Sequence, residues 1–336
     1  MQNRRNWIKS SLALGGVLVS PSNFLTSEEI ELFRPRDLEK VVKLSSNENP
    51  YGPSKKVRDV INKSYNYACR YPYSYSDDLE EILAKKHGVS NESVIVTGGS
   101  TEGLKITGLT FTSNGGEIIS AKPTFLAMMD FAKQWGASIN WVPVKSDKGY
   151  DLSEIENRIS KKTKLIFLCN PNNPTGTLIP SKKLYDFCET AANKTIVFSD
   201  EAYYDYIEDP NYPSMIDLIK KNKNIIVSKT FSKVYGMAGL RVGYLIAKPE
   251  LAKKIRENIV ARSNVLGIEA AKEALNDKEF YTFSLKKNKE SKQRIYSLLD
   301  EINLNYVKSH TNFIFFHSKR NIKELGPQMI KKGVRI

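Results

Sequence analysis

Between residues 77 and 246 the chain alternates short, unbroken apolar blocks with amphipathic stretches, and that alternation leaves few folds open. The blocks are residues 93–97, 117–120, 138–144, 164–168, 195–199, 224–227 and 242–246. They are too continuously apolar for strands with one wet face. Strands buried on both faces belong to a mostly parallel sheet sandwiched between helices. The amphipathic stretches at 78–87, 125–135, 152–159 and 180–192 supply the covering helices. The expected fold class is therefore α/β. Ligands of such sheets bind outside the carboxyl ends of the strands, and the polar motifs of this chain follow strand ends.

At 336 residues the chain exceeds the roughly 250–300 at which one core stops growing, so a second lobe is expected. The segmentation read from the sequence is a tail at 1–27, an arm at 28–76, a large domain at 77–248 and a smaller C-terminal α+β domain at 249–336. A long charged helix at 249–261 is expected to leave the large domain, and residues 312–316 read as a strand of the smaller one. In the arm, two prolines and a glycine between residues 41 and 53 exclude a helix.

The charge balance is 51 Lys+Arg against 37 Asp+Glu, a net +14. The lysines are scattered in pairs, not gathered into a stripe, so no nucleic-acid partner is expected. Cys69, Cys169 and Cys188 give neither a disulfide framework nor a metal site, and with three histidines no metal is expected. Arg4-Arg5 ahead of the weakly apolar run Ser10–Val19 and Pro21 has the form of a twin-arginine export signal, which carries folded, cofactor-loaded proteins. A periplasmic location is expected, with a basic cytoplasmic N-terminus as the alternative. The run is too short to span a bilayer, so no stable membrane insertion is expected.

Four polar motifs remain. Ser228–Arg241 gathers two hydroxyls (Thr230, Ser232), an amine (Lys233) and a guanidinium (Arg241). Together these can hold a phosphate monoester and form an imine with an aldehyde. A cofactor that is both is pyridoxal 5′-phosphate (PLP), whose enzymes pair a lysine with an acidic partner for the ring nitrogen. Alone, the segment also reads as a solvated turn. Gly98–Gly103 opens a helix after a strand, which suits an anion at the helix N-terminus and equally suits a tight turn with an N-cap. Asn170–Gly176 is a rigid loop that can aim Asn173 at a ligand. Asp200 ends a buried strand, where a carboxylate is costly without a cation or donors; it can also serve as a cap.

In this order, Asn-Pro-x-Asn-Pro-Thr-Gly, Asp-Glu-Ala-Tyr and Thr-Phe-Ser-Lys-x-x-Gly-x-Ala-Gly-Leu-Arg resemble the fold-type I PLP enzymes of aminotransferase class I/II. Ser45–Pro53 and Arg70-Tyr71-Pro72 are similar to the histidinol-phosphate aminotransferase group within them. The resemblance runs from about residue 44 to the end of the chain. It implies a PLP-dependent transfer of an amino group between an amino donor and a 2-oxo acid by a ping-pong mechanism. It also implies roles. Lys233 would be the Schiff-base lysine and proton carrier, its amine pKa lowered by burial beside a guanidinium. Asp200 would keep the ring nitrogen protonated, Asn173 and Tyr203 would bond the ring hydroxyl, and Phe125 would stack on the ring where relatives often carry Tyr. Gly99, Ser100, Thr101, Thr230, Ser232 and Arg241 would surround the phosphate. Tyr71 would reach the phosphate of a neighbouring subunit, implying a homodimer with shared sites. Asn49, Tyr51 and Arg335 would meet the substrate.

Two departures qualify the substrate. The chain stops at Ile336, where that family continues and carries an arginine for the substrate carboxylate, so it reads as C-terminally incomplete. Val260–Asn264 lacks the group's proline-and-aromatic turn and offers Arg262, either to a different substrate or to solvent. A PLP decarboxylase or lyase, as in the related threonine-phosphate decarboxylases, is the alternative reading; a non-catalytic exported binding protein is the second.

Overall fold

The computed structural model describes residues 41–336, which fall into two compact units. One is Ser46–Lys319; the other, among the described residues, is 41–45 with 320–336. The sequence-based limits at 77 and 248 both lie inside the larger unit.

In chain order the elements are β1 (Val42–Lys43), α1 (Lys55–Ser64), α2 (Tyr73–His87), β2 (Val94–Thr97), α3 (Ser100–Thr112), β3 (Glu117–Lys122) and α4 (Ala127–Gln134). Then come β4 (Ser138–Pro143), α5 (Leu152–Asn157), β5 (Thr163–Cys169), α6 (Ser181–Ala191), β6 (Ile196–Asp200), α7 (Ile216–Lys220) and β7 (Ile225–Thr230). The last are β8 (Gly243–Ala247), α8 (Pro249–Arg256), α9 (Val265–Asn276), α10 (Lys278–Glu301), α11 (Ile322–Lys331) and β9 (Val334–Arg335).

The larger unit is built on a seven-stranded sheet of order β2-β8-β7-β6-β5-β3-β4. Every pairing is parallel except those of β8, which runs antiparallel to both β2 and β7. Side chains alternate between two cores, as the pleat requires. Val94, Val96, Ile166, Leu168, Val197 and Val227 enter one core with Leu184 and Phe187 of α6. Ile95, Leu165, Phe167, Phe198 and Ile226 enter the other with Leu104 of α3, Met128 and Met129 of α4 and Leu251 and Ile255 of α8. Burial on both faces is why these strands read as unbroken apolar blocks.

Three expectations need correction. The helix expected at 78–87 begins at Tyr73, because Pro72 can sit at a helix start, where no amide N–H is needed. The helix expected at 249–261 ends at Arg256; Asn258, just beyond, turns its amide to the Thr110 hydroxyl (3.2 Å) and the Lys254 carbonyl (3.1 Å). Residues 312–316 form no strand. They keep one antiparallel bridge, Tyr306 to Phe316, while Phe313 packs edge-on against Tyr203 with centroids 5.2 Å apart.

In the smaller unit β1 pairs in parallel with β9, Val42 opposite Val334 and Lys43 opposite Arg335. Asn321 caps α11 through Lys323 N–H at 3.0 Å. Among the described residues no helix is long and apolar enough to cross a membrane, and no three His, Cys, Asp or Glu side chains cluster as metal ligands.

Candidate active site

The antiparallel β8 starts where its neighbours stop. Gly243 is in register with Thr97, the last residue of β2, and with Thr230, the last residue of β7. The loop after β2 and the single loop that joins β7 to β8 therefore meet at one rim of the sheet. Gly99, at φ 80°, takes a backbone that side chains disfavour, and a Cβ there would collide with the Arg241 guanidinium. A Cβ on Gly243 would sit 2.7 Å from the Ser100 amide nitrogen. Arg241 itself holds φ 55°, sparsely populated for a bulky residue and found at sites where the surroundings enforce it. It donates to the Ala238 carbonyl (2.8 Å) and the Gly98 carbonyl (3.4 Å). Helix α3 opens here without a side-chain cap, so Ser100 and Thr101 stand in its first turn with the positive end of the helix dipole. Thr230 and Ser232 are buried, and the Thr230 hydroxyl accepts the Ser232 N–H at 3.1 Å.

Asp200 ends β6, between Cys169 of β5 and Ser228 of β7 in register. It is 3% exposed, and among the described residues its carboxylate accepts one hydrogen bond, from Ala202 N–H at 3.3 Å. Burial pushes the carboxyl up to about 7, with Glu201 adding to the rise and the Ala202 amide and Lys233 opposing it. Lys233 Nζ lies 5.4 Å from the Tyr203 ring centroid and donates to the Asn47 carbonyl at 3.1 Å and the Ser46 carbonyl at 3.4 Å. Its amine is held below the usual lysine value chiefly by burial; Glu48 and Asp200 pull it up, and Arg241 pushes it down. The expected contribution of the guanidinium is thus present but smaller than that of burial. The Tyr203 hydroxyl accepts from Asn47 Nδ2 (3.2 Å) and, at 3.5 Å, from Asn173 Nδ2; burial holds the phenol protonated.

The structure draws Lys233, Asp200, Tyr203 and Asn173 together, and Gly99, Ser100 and Arg241 beside one another. Phe125 is half-buried against the α3–α4 core and follows Thr124, whose hydroxyl is tied to Asn172 Oδ1 at 2.9 Å. Asn49 donates to the Val234 carbonyl (2.9 Å) and the Ser284 hydroxyl (3.1 Å), and Tyr51 meets Phe283 edge-on at 4.9 Å. Tyr71 is 82% exposed and lies beside Tyr73, with ring centroids 5.9 Å apart. Arg335 belongs to the smaller unit, on β9. Arg262 is committed to Asp77 (2.7 Å) and to the face of Tyr73. Sequence reasoning passed over Asn47, Asn312 and Phe313. The one available signal for Asn47 was an amide residue in a proline- and glycine-punctuated arm, the kind that tolerates its φ of 50°.

These residues fit PLP. The buried Asp200 carboxylate has a single backbone donor and would be completed by a protonated ring nitrogen. On the adjoining strand the Ser228 hydroxyl is buried without a partner among the described residues. The first turn of α3, which has no side-chain cap, offers backbone N–H groups to an anion beside Arg241.

Residues 39–336 match the family described as aminotransferase class I and II. The chain belongs to the class I and II aminotransferases. It is a PLP-dependent aminotransferase, the cofactor being that of the family. It is 36% identical over 305 residues to the histidinol-phosphate aminotransferase of Caldicellulosiruptor saccharolyticus, covering 90% of this chain and 85% of the relative. Its fold matches that of a putative histidinol-phosphate aminotransferase from Erwinia carotovora atroseptica with a TM-score of 0.85 and 30% identity, over 88% and 87% of the two chains. The L-threonine-O-3-phosphate decarboxylase of Porphyromonas gingivalis shares the fold at a TM-score of 0.77 and 24% identity, over 88% and 89% of the two chains. Both reaction types therefore occur on this scaffold.

Proposed function

We propose that this aminotransferase takes histidinol phosphate as amino donor and passes the amine to a 2-oxo acid by a ping-pong mechanism. The observation that carries the reading is the nearness of a half-buried amine, Lys233, to the incompletely bonded carboxylate of Asp200 in a chain 36% identical to histidinol-phosphate aminotransferases. When bound, PLP supplies an aldehyde for amines and a cationic ring that withdraws electrons from the bonds of the substrate α-carbon. Asp200 keeps that ring cationic by offering a carboxylate. Lys233 Nζ, shifted toward the neutral form, removes the α-proton, a transfer worth roughly 10²–10⁴-fold in rate. Tyr203 and Asn173 orient the ring, and Arg241 with the first turn of α3 holds the phosphate.

The enzyme acts as a homodimer in which Tyr71 completes the partner's phosphate site; its exposure supports this. It is exported through Arg4-Arg5, which lie outside the described residues. The test is a donor panel on the PLP-loaded, full-length chain: histidinol phosphate, aromatic amino acids and threonine phosphate. Conversion of the bound cofactor to its amine form by histidinol phosphate supports the reading. Release of carbon dioxide from threonine phosphate, with no conversion by histidinol phosphate, overturns it.

A further inference from the structure

The segment from Ser309 to Phe313 has no regular secondary structure, yet it is pinned at every residue to something else. Buried Lys292 donates to the Ser309 carbonyl at 2.8 Å, and the Ser309 and Thr311 hydroxyls bond each other at 2.8 Å. Asn288 Nδ2 holds the Thr311 carbonyl at 3.1 Å. His310 N–H donates to the Gly176 carbonyl at 2.9 Å, so the segment grips the loop that carries Asn173. Phe313 sets its edge against the Tyr203 ring. Between them, Asn312 Nδ2 donates to the Asn47 carbonyl at 2.9 Å. That same carbonyl accepts Lys233 Nζ at 3.1 Å, while Asn47 Nδ2 reaches the Tyr203 hydroxyl at 3.2 Å. Asn312 Oδ1 is buried and has no hydrogen-bond partner among the described residues, so within them the amide is oriented by its Nδ2 bond.

We propose that Asn312 is a positioning residue of the transamination: through the Asn47 carbonyl it fixes the acceptor that the free Lys233 amine faces when it moves the substrate proton. The proposal rests on Lys233 being the reacting amine and needs no particular donor. A carbonyl that accepts from the ammonium favours the charged form, so a well-held Asn47 opposes part of the effect of burial. The other charged or titratable groups facing Lys233 are Glu48, Asp200, Arg241 and Tyr203, and none of them is altered by substituting Asn312. Asn47, at φ 50°, is held from outside the arm at its side-chain amide by Tyr203 and at its carbonyl by Asn312, so Asn312 is the fixed donor that shares this carbonyl with Lys233.

The test is the pH dependence of Lys233 labelling by an amine-reactive reagent in the full-length chain freed of cofactor, read by mass spectrometry at that residue. Asn312→Ala should lower the half-labelling pH by roughly half a unit. In the PLP-loaded enzyme it should lower kcat about tenfold with KM changed less than about twofold, as expected for an interaction used in the proton transfer. Asn312→Leu keeps the volume while removing the donor; it should behave the same, and it carries the test if the alanine variant does not fold. Asn47→Gly suits the positive φ and keeps the carbonyl, so its half-labelling pH should remain that of wild type. A labelling profile of the Asn312 variants that overlays wild type, or an equal displacement in Asn47→Gly, overturns the proposal. Labelling needs no turnover, so a wrong choice of donor substrate leaves this result intact.

Discussion

Asp200 and Glu201 are consecutive carboxylates at the end of one strand, each 3% exposed, and the chain treats them in opposite ways. Glu201 is completed by its own protein: Lys229 Nζ at 2.8 Å, the Ser214 hydroxyl at 2.7 Å and Met215 N–H at 2.9 Å. Lys229 is in turn laid over the face of Tyr204, 3.9 Å from its centroid. Asp200 receives one backbone N–H at 3.3 Å and is pushed up to about 7. Burying a charge is expensive unless it is paired. A carboxylate whose partners all belong to the fold is architecture. One left short of partners in the same layer is set aside for a cation from outside.

The largest effect that could break this contrast is at the amine. Lys233→Ala should lower kcat by up to roughly 10⁴-fold while leaving the melting temperature unchanged or raised, since a half-buried amine is removed. It also removes the cation that holds the Asp200 carboxyl down, so that group should titrate still higher. An active Lys233→Ala enzyme would remove the basis for reading Asp200 as the cofactor's partner.

Next is Asp200→Asn, which should reduce kcat by roughly 10²–10³-fold yet stabilise the cofactor-free protein at neutral pH. The sign follows from proton counting. Between the unfolded carboxyl value near 4 and the folded value of about 7, the folded state holds a proton that the unfolded state has lost. Stability therefore falls as pH rises through that window and levels off above it. Wild type should lose about 3–4 kcal/mol relative to Asp200→Asn across the window, measured by denaturant melts at pH 4 to 8. Parallel curves for the two proteins would mean that Asp200 is already satisfied.

The smallest catalytic effect is expected at the neighbour. Glu201→Gln should cost about 3–5 kcal/mol of stability by stranding Lys229, with kcat per folded molecule within about threefold of wild type. If Glu201→Gln instead lost activity as Asp200→Asn does with stability intact, the two carboxylates would have exchanged roles.

The sheet was legible in the sequence because strands buried on both faces leave unbroken apolar blocks. The direction of β8 was not, since an apolar run carries no arrow. Residues 312–316 resembled a strand for the same reason, but Phe313 packs on Tyr203 and only Phe316 pairs, in a single bridge. In the site, Lys233, Asp200 and Asn173 were legible because each follows a strand, where a parallel sheet collects its chemistry. Asn47 and Asn312 were not. Their bond joins residues 265 apart, and an asparagine whose role lies in one distant carbonyl leaves no periodic trace.

The reversed strand β8 also orders events in time. Thr97 and Thr230 become neighbours of one another only through Gly243, which is 146 residues beyond Thr97. A chain emerging from the ribosome can fold α3 and the loop before it, but the groups around Gly99 have no Arg241 to meet until the sheet receives its last strand. Contacts so distant in sequence form late and slowly. The rim where Gly99 meets Arg241 is thus complete only once the central sheet of the larger unit has closed.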